Sequence, residues 1–146
     1  MDARGLANLL RVGALESVYY STGLGRRTLH FNQVKEYERI TRHLSRLKQQ
    51  LVSFLRHWGH DITIKKRDYQ EPGRILDQLI RPGLAEEVSA KFEAIAYQQI
   101  RKNEQQQRFM KTAKKFWEIN EFIAMSGCGD ISAHKISGYI QEPNRF

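Results

Sequence analysis

The sequence predicts an all-α fold: a helical bundle with two long helices, over about residues 32–58 and 84–125, shorter helices covering them, and room for one minor β-hairpin. Three observations carry that expectation. Tyr37, Ile40, Leu44, Leu47, Leu51, Phe54 and Trp58 recur at alternating steps of three and four, the spacing of a heptad seam. Val88, Phe92 and Ile95 form a second stripe, and Met110, Ala113, Trp117 and Ala124 stay in phase with it on one helix face. Period-two alternation is confined to Ile62 and Ile64, with Thr28–Phe31 as the only candidate strand partner.

At 146 residues the chain fits one domain, 1–146, large enough to bury a core without staples. Its 40% hydrophobic and 27% charged content is that of a packed globular protein rather than a disordered one. Cys128 is the only cysteine, so an intramolecular disulfide is excluded and a reducing compartment is expected, cytoplasmic or, in a eukaryote, nuclear. No apolar run approaches the roughly 18 residues of a membrane span. Arg4, Arg11 and Glu16 interrupt the first apolar stretch, which reads as neither anchor nor secretory signal.

Taken in order, residues 3–20 predict one or two short helices over the main seam, and residues 21–31, with two glycines and Arg26-Arg27, predict a loop. Asn32 is a suitable N-cap for the first long helix, with Glu36 and Glu38 near its positive end. Gly59 ends it. An extended arm follows, carrying Lys65, Lys66 and Arg67. Pro72 opens a short helix whose Ile75, Leu76, Leu79 and Ile80 are core candidates. In the second long helix Gln99, Asn103 and Gln106 fall where a seam would want Leu or Ile, so its middle is expected to be wet. A last helix spans 132–141. Residues 119–141 resemble a helix-turn-helix, with Ser132 capping and Ala133, His134, Lys135 and Ser137 exposed, although Ile136 fits only with a turn longer than usual. That resemblance implies a DNA-reading unit.

Charge gives the main functional signal. The net charge is +8, from 24 Lys and Arg against 16 Asp and Glu, which favours anionic partners. It is also segregated. From Arg39 to Arg67 eight basic residues face Asp61 alone, and from Arg101 to Lys115 six face Glu104, while residues 68–93 are net acidic. Arg39, Arg42, Arg46 and Arg56 recur on the face opposite the seam, and Arg101, Arg108, Lys111 and Lys115 form a similar face on the second long helix. Cations at helical spacing can contact successive phosphates and release counterions. With Lys65, Lys66 and Arg67 they make the candidate interface of a non-catalytic, accessory or architectural nucleic-acid-binding protein, DNA being preferred over RNA.

The competing expectation is a helical interaction subunit whose basic surface faces an acidic protein. The heptad seam, lacking a complete mate elsewhere in the chain, predicts a homodimer through residues 37–58. No enzyme chemistry is legible. His57, His60 and Asp61 straddle a helix end without further ligands, so no metal is expected. Cys128 and His134 lack a third group, and Gly23–Arg27 lacks the rest of a phosphate loop, so neither cofactor nor small-molecule substrate is expected.

Overall fold

The computed structural model describes residues 25–79, 81–114 and 116–140. The helices expected within 3–20, Ile80, Lys115 and the end of the last helix beyond 140 lie outside them. The described chain is all-α, as its periodicity predicts. The elements are α1, Arg26–His57; a 3-10 turn, Lys66–Tyr69; α2, Gly73–Leu76; α3, Pro82–Thr112; α4, Trp117–Ala124; and α5, Asp130–Ile140. No strand forms among the described residues. The expected hairpin is therefore corrected: Thr28–Phe31 is inside α1, and Ile62 and Ile64 sit in an irregular segment half-buried against the core.

α1 starts six residues earlier than Asn32, after Gly25, whose extended backbone (φ −77°, ψ 159°) lets the chain enter the helix. The reason is packing rather than capping. His30, Val34 and Tyr37 continue the buried stripe backwards at steps of four and three, and all three are buried. The other end is as Gly59 suggests. Gly59, at φ 79°, donates to the Arg56 carbonyl at 2.9 Å and His60 to that of Leu55 at 2.9 Å, the paired bonds that close a helix whose C′ residue is left-handed.

α1 and α3 run antiparallel, Gln33 meeting Gln105, Tyr37 meeting Phe109 and Phe54 meeting Lys91. The mate of the heptad seam is thus α3 of the same chain. Leu44, Leu51 and Leu55 pack with Leu84, Val88, Phe92 and Ile95, joined by Ile75 and Leu79 from the α2 segment. Tyr37, Ile40, Leu44 and Leu51 are buried inside one chain, so most of the seam that suggested a homodimer is covered by α3, with Trp58 left exposed at its end. A second apolar cluster, Val34, Tyr37 and Phe109, is separate from the first. Between them the α3 seam carries Gln99, Lys102, Gln105 and Gln106, of which Gln105 is buried and donates to the Gln33 carbonyl at 3.0 Å. The expected polar middle is there with its register shifted: Asn103 faces outward, and Gln105 takes the buried position of a polar waist between two apolar ends.

α3 does not continue to residue 125. It stops at Thr112, and Phe116 is extended (φ −83°, ψ 111°) before α4. The turn carries Phe116 against His30, ring centroids 5.5 Å apart, and under the Arg27 guanidinium at 4.5 Å. A continuous rod could not make those contacts, and its in-phase Trp117 is in fact exposed. α4 and α5 then cap this end. Gly138 lets α5 approach α1 closely, since a Cβ there would lie 3.0 Å from Val34 Cγ2. The helix-turn-helix reading is corrected by the same packing: Ala133, His134 and Ser137 are buried against the rest of the chain, so the face that would enter a groove is not free.

Candidate nucleic-acid interface

α1 positions its cations by helical phase. Arg39, Arg42 and Arg46 project from the side opposite Val34, Leu44 and Leu51, and all three are exposed. Arg39 closes a fork on Glu36, with Nε and Nη2 each 2.7 Å from a carboxylate oxygen. The Arg101 guanidinium of α3 approaches the same carboxylate at 3.6 Å. The hydrogen bonds from Arg39 are the main reason the Glu36 carboxyl is held below the usual carboxylate range. One negative charge therefore serves two guanidinium groups, and the pair keeps a net positive charge.

Arg42 has no carboxylate partner; its Nε donates at 3.5 Å to the Glu38 backbone carbonyl. The Glu38 carboxylate is instead taken by α5, through Lys135 Nζ at 2.8 Å and the Tyr139 hydroxyl at 2.6 Å. Arg56 and Asp61, both exposed, lie 3.8 Å apart, a contact that water screens heavily. Arg46, Lys65, Lys66, Arg67, Arg108 and Lys111 are exposed, and the ion pairs formed among the described residues do not include them. Lys115 lies outside those residues.

The structure gathers part of this set on one flank of the α1–α3 pair. An open groove of 670 Å³ holds Arg46, Gln49, Ser53 and His57 of α1 beside Lys91 of α3, with Phe54 as its apolar floor. Lys91 Nζ stands 4.6 Å from the centre of the Phe54 ring. At the other end a groove of 500 Å³ is lined by Arg26, Leu29, Lys111, Thr112 and Lys114. Leu29 and Phe54 are 25 residues apart on α1, close to seven full turns, so both grooves open on the same flank, about 38 Å apart along the helix. Arg101 and Arg108, two turns apart on α3, lie along the same side.

Comparison with known protein families, curated proteins and solved structures finds no match for this chain.

Lys65, Lys66 and Arg67 do not join that flank. They ring the 3-10 turn, away from the residues that line the two grooves. Their exposure follows from Asp68, whose charge is directed inward: its oxygens accept from Arg74 Nη2 at 2.6 Å and from the Lys65 backbone N–H at 2.6 Å. Sequence reasoning missed Arg26, Lys91 and Lys114. Lys91 was hidden by its neighbours, because counting charge along the chain places it in the acidic 68–93 stretch, whereas folding sets it beside Arg46. Its three-residue step from Val88, which puts it at the rim of the buried stripe, was the available signal.

One buried polar cluster lies away from these grooves. Glu118 accepts from Arg27 at 2.6 Å and from the Ser137 hydroxyl at 3.0 Å, and His30 Nε2 donates to the His134 carbonyl at 2.9 Å. Burial alone would raise the Glu118 carboxyl, but the Arg27 hydrogen bond, then its own backbone N–H and the Ser137 hydroxyl, bring it below its ordinary value. Ser137 spends its proton on Glu118, and Nδ1 of both histidines lacks a hydrogen-bond partner, so no nucleophile and base are paired there. The cluster fastens α4 and α5 to α1.

Proposed function

We propose that the protein binds nucleic acid without catalysing a reaction, gripping the phosphate backbone of duplex DNA along the α1–α3 flank. The observation that carries this reading is that Arg46, Arg108 and Lys111 remain exposed and form no ion pair among the described residues, while the Glu36 carboxylate on that flank is shared by Arg39 and Arg101. Two cationic grooves on one flank, separated by about 38 Å, lie near the roughly 34–36 Å repeat of a B-form turn, which favours a duplex over a flexible single strand. Gln49 and Ser53 supply neutral hydrogen-bonding groups between cations, suited to sugar and phosphate oxygens and carrying little sequence information. The testing variant is Arg46→Glu with Lys111→Glu, one change in each groove, read by fluorescence anisotropy with labelled duplex DNA, single-stranded DNA and RNA. A loss of at least about tenfold for the duplex is expected, and unchanged affinity would overturn the assignment of this face.

A second reading, an interaction subunit of a larger complex, is favoured by one observation. Tyr97 and Ile100 are 61% and 58% exposed on the outer side of α3, away from both grooves. Under this reading the wild-type protein shows no salt-dependent duplex binding in the same anisotropy assay, whereas under the first it does.

A further inference from the structure

The larger basic groove runs up to an exposed aromatic residue that a grip on phosphates leaves unexplained. Trp58 is the last residue before Gly59 turns the chain away from α1, and it is 45% exposed. Its indole pairs with two side chains that line the groove, the ring centroids of Phe54 and His57 lying 6.3 and 6.1 Å away. The Arg81 guanidinium, from the residue that caps α3, stands over the indole at 5.9 Å. Arg81 is exposed, and the ion pairs formed among the described residues do not include it. Phe54 is placed differently. It is half-buried against the core with Lys91 over its ring at 4.6 Å, so it serves as a floor while Trp58 offers ring area to solvent.

An indole held at the surface leaves apolar area in water, and a second flat ring laid on it relieves that cost. Paired bases inside a duplex show a groove their edges and keep their faces stacked on one another, so an indole can stack only on a base whose face is free. The position of Trp58 suits such a base. From Arg46 to His57 the groove follows about 16 Å of helix, and Trp58 comes at its end rather than along its course, with Arg81 beside it to meet the phosphate of the same nucleotide. We propose that Trp58 stacks on an unpaired base where the duplex held by the flank passes into single strand. The inference deepens the reading of that flank and rests on it.

Trp58 and Trp117 are the two tryptophans of the chain, so Trp117→Phe, on α4 and outside both grooves, isolates the emission of Trp58. Anisotropy and tryptophan emission are followed with a labelled blunt duplex and with the same duplex carrying a short oligothymidine extension at its 3′ or 5′ end. Both kinds of DNA are expected to bind. At least one extended DNA binds about fivefold or more tightly than the blunt duplex, and it quenches Trp58 emission saturably and more strongly. Trp58→Ala removes that preference and keeps the affinity for the blunt duplex, while Trp58→Phe retains part of the preference. Melting temperatures close to that of the wild type show that both substitutions leave the fold intact. Equal affinity for all the DNAs, a preference that survives Trp58→Ala, or binding that leaves the emission unquenched overturns the stacking proposal and leaves the flank reading standing. Absence of salt-dependent binding to any of them overturns both.

Discussion

Asp68 is almost fully buried, yet its carboxyl is held down to about 2, chiefly by the Arg74 hydrogen bonds and helped by the Lys65 N–H. A carboxyl depressed on folding stabilises the native state above its unfolded pKa of about 4, and that contribution disappears as pH falls towards 2. Thermal unfolding followed between pH 2 and 4 should show this loss, and Arg74→Met should flatten it. His30 and His134 work in the opposite pH region. Both are held below the ordinary value of 6.5, mainly by burial, so the unfolded chain takes up more protons than the native one as the solution is acidified. Their contribution is complete above about pH 6.5 and declines below it. A lower urea midpoint at pH 5 than at pH 7.5, with a smaller difference in His134→Leu, is the expected outcome. None of these roles was legible from residue type alone. Asp68 stood in an acidic stretch and His30 in an apparent loop, and only their burial reveals what they do.

At the scale of elements, α1 and the seam residues of α3 were readable because apolar spacing fixes which side of a helix is dry, whatever lies opposite. What spacing could not give was the identity of the opposing surface. The seam from Tyr37 to Leu51 looked mateless because the polar Gln99–Gln106 waist breaks the matching stripe on α3, so a pairing within the chain resembled a need for a second copy. The α3 break at Thr112 was equally hidden, since Met110, Ala113 and Trp117 remain in phase along the sequence while the backbone turns between them. Phe109→Ala tests the smaller apolar cluster. Its ring is wholly buried against Tyr37 and His134, and a loss of about 3–5 kcal/mol in denaturant unfolding is expected. Gly138→Ala probes the α5 contact. Its new methyl group would press on Val34 and cost about 1–3 kcal/mol, and the loss should shrink when Val34→Ala makes room.

For the molecule as a whole, the net charge of +8 says that anions are favoured but not where. The fold divides the predicted cations into two territories. Arg39, Arg46, Arg101, Arg108 and Lys111 follow the α1–α3 flank, whereas Lys65, Lys66 and Arg67 sit at the 3-10 turn, whose Tyr69 packs on the larger apolar cluster. Linear charge counting blurred that division, because α1 ends and reverses between the two sets. The number of cations on the flank sets a quantitative expectation. If about five phosphates are neutralised there, the logarithm of the duplex association constant should fall against the logarithm of salt concentration with a slope of about −4 to −5. Anisotropy titrations of the wild-type protein with duplex DNA across a salt series measure that slope directly. A steep slope, reduced by about two when Arg46 and Lys111 are both replaced with glutamine, is the predicted result; binding that ignores salt, or no binding at low salt, would contradict the account.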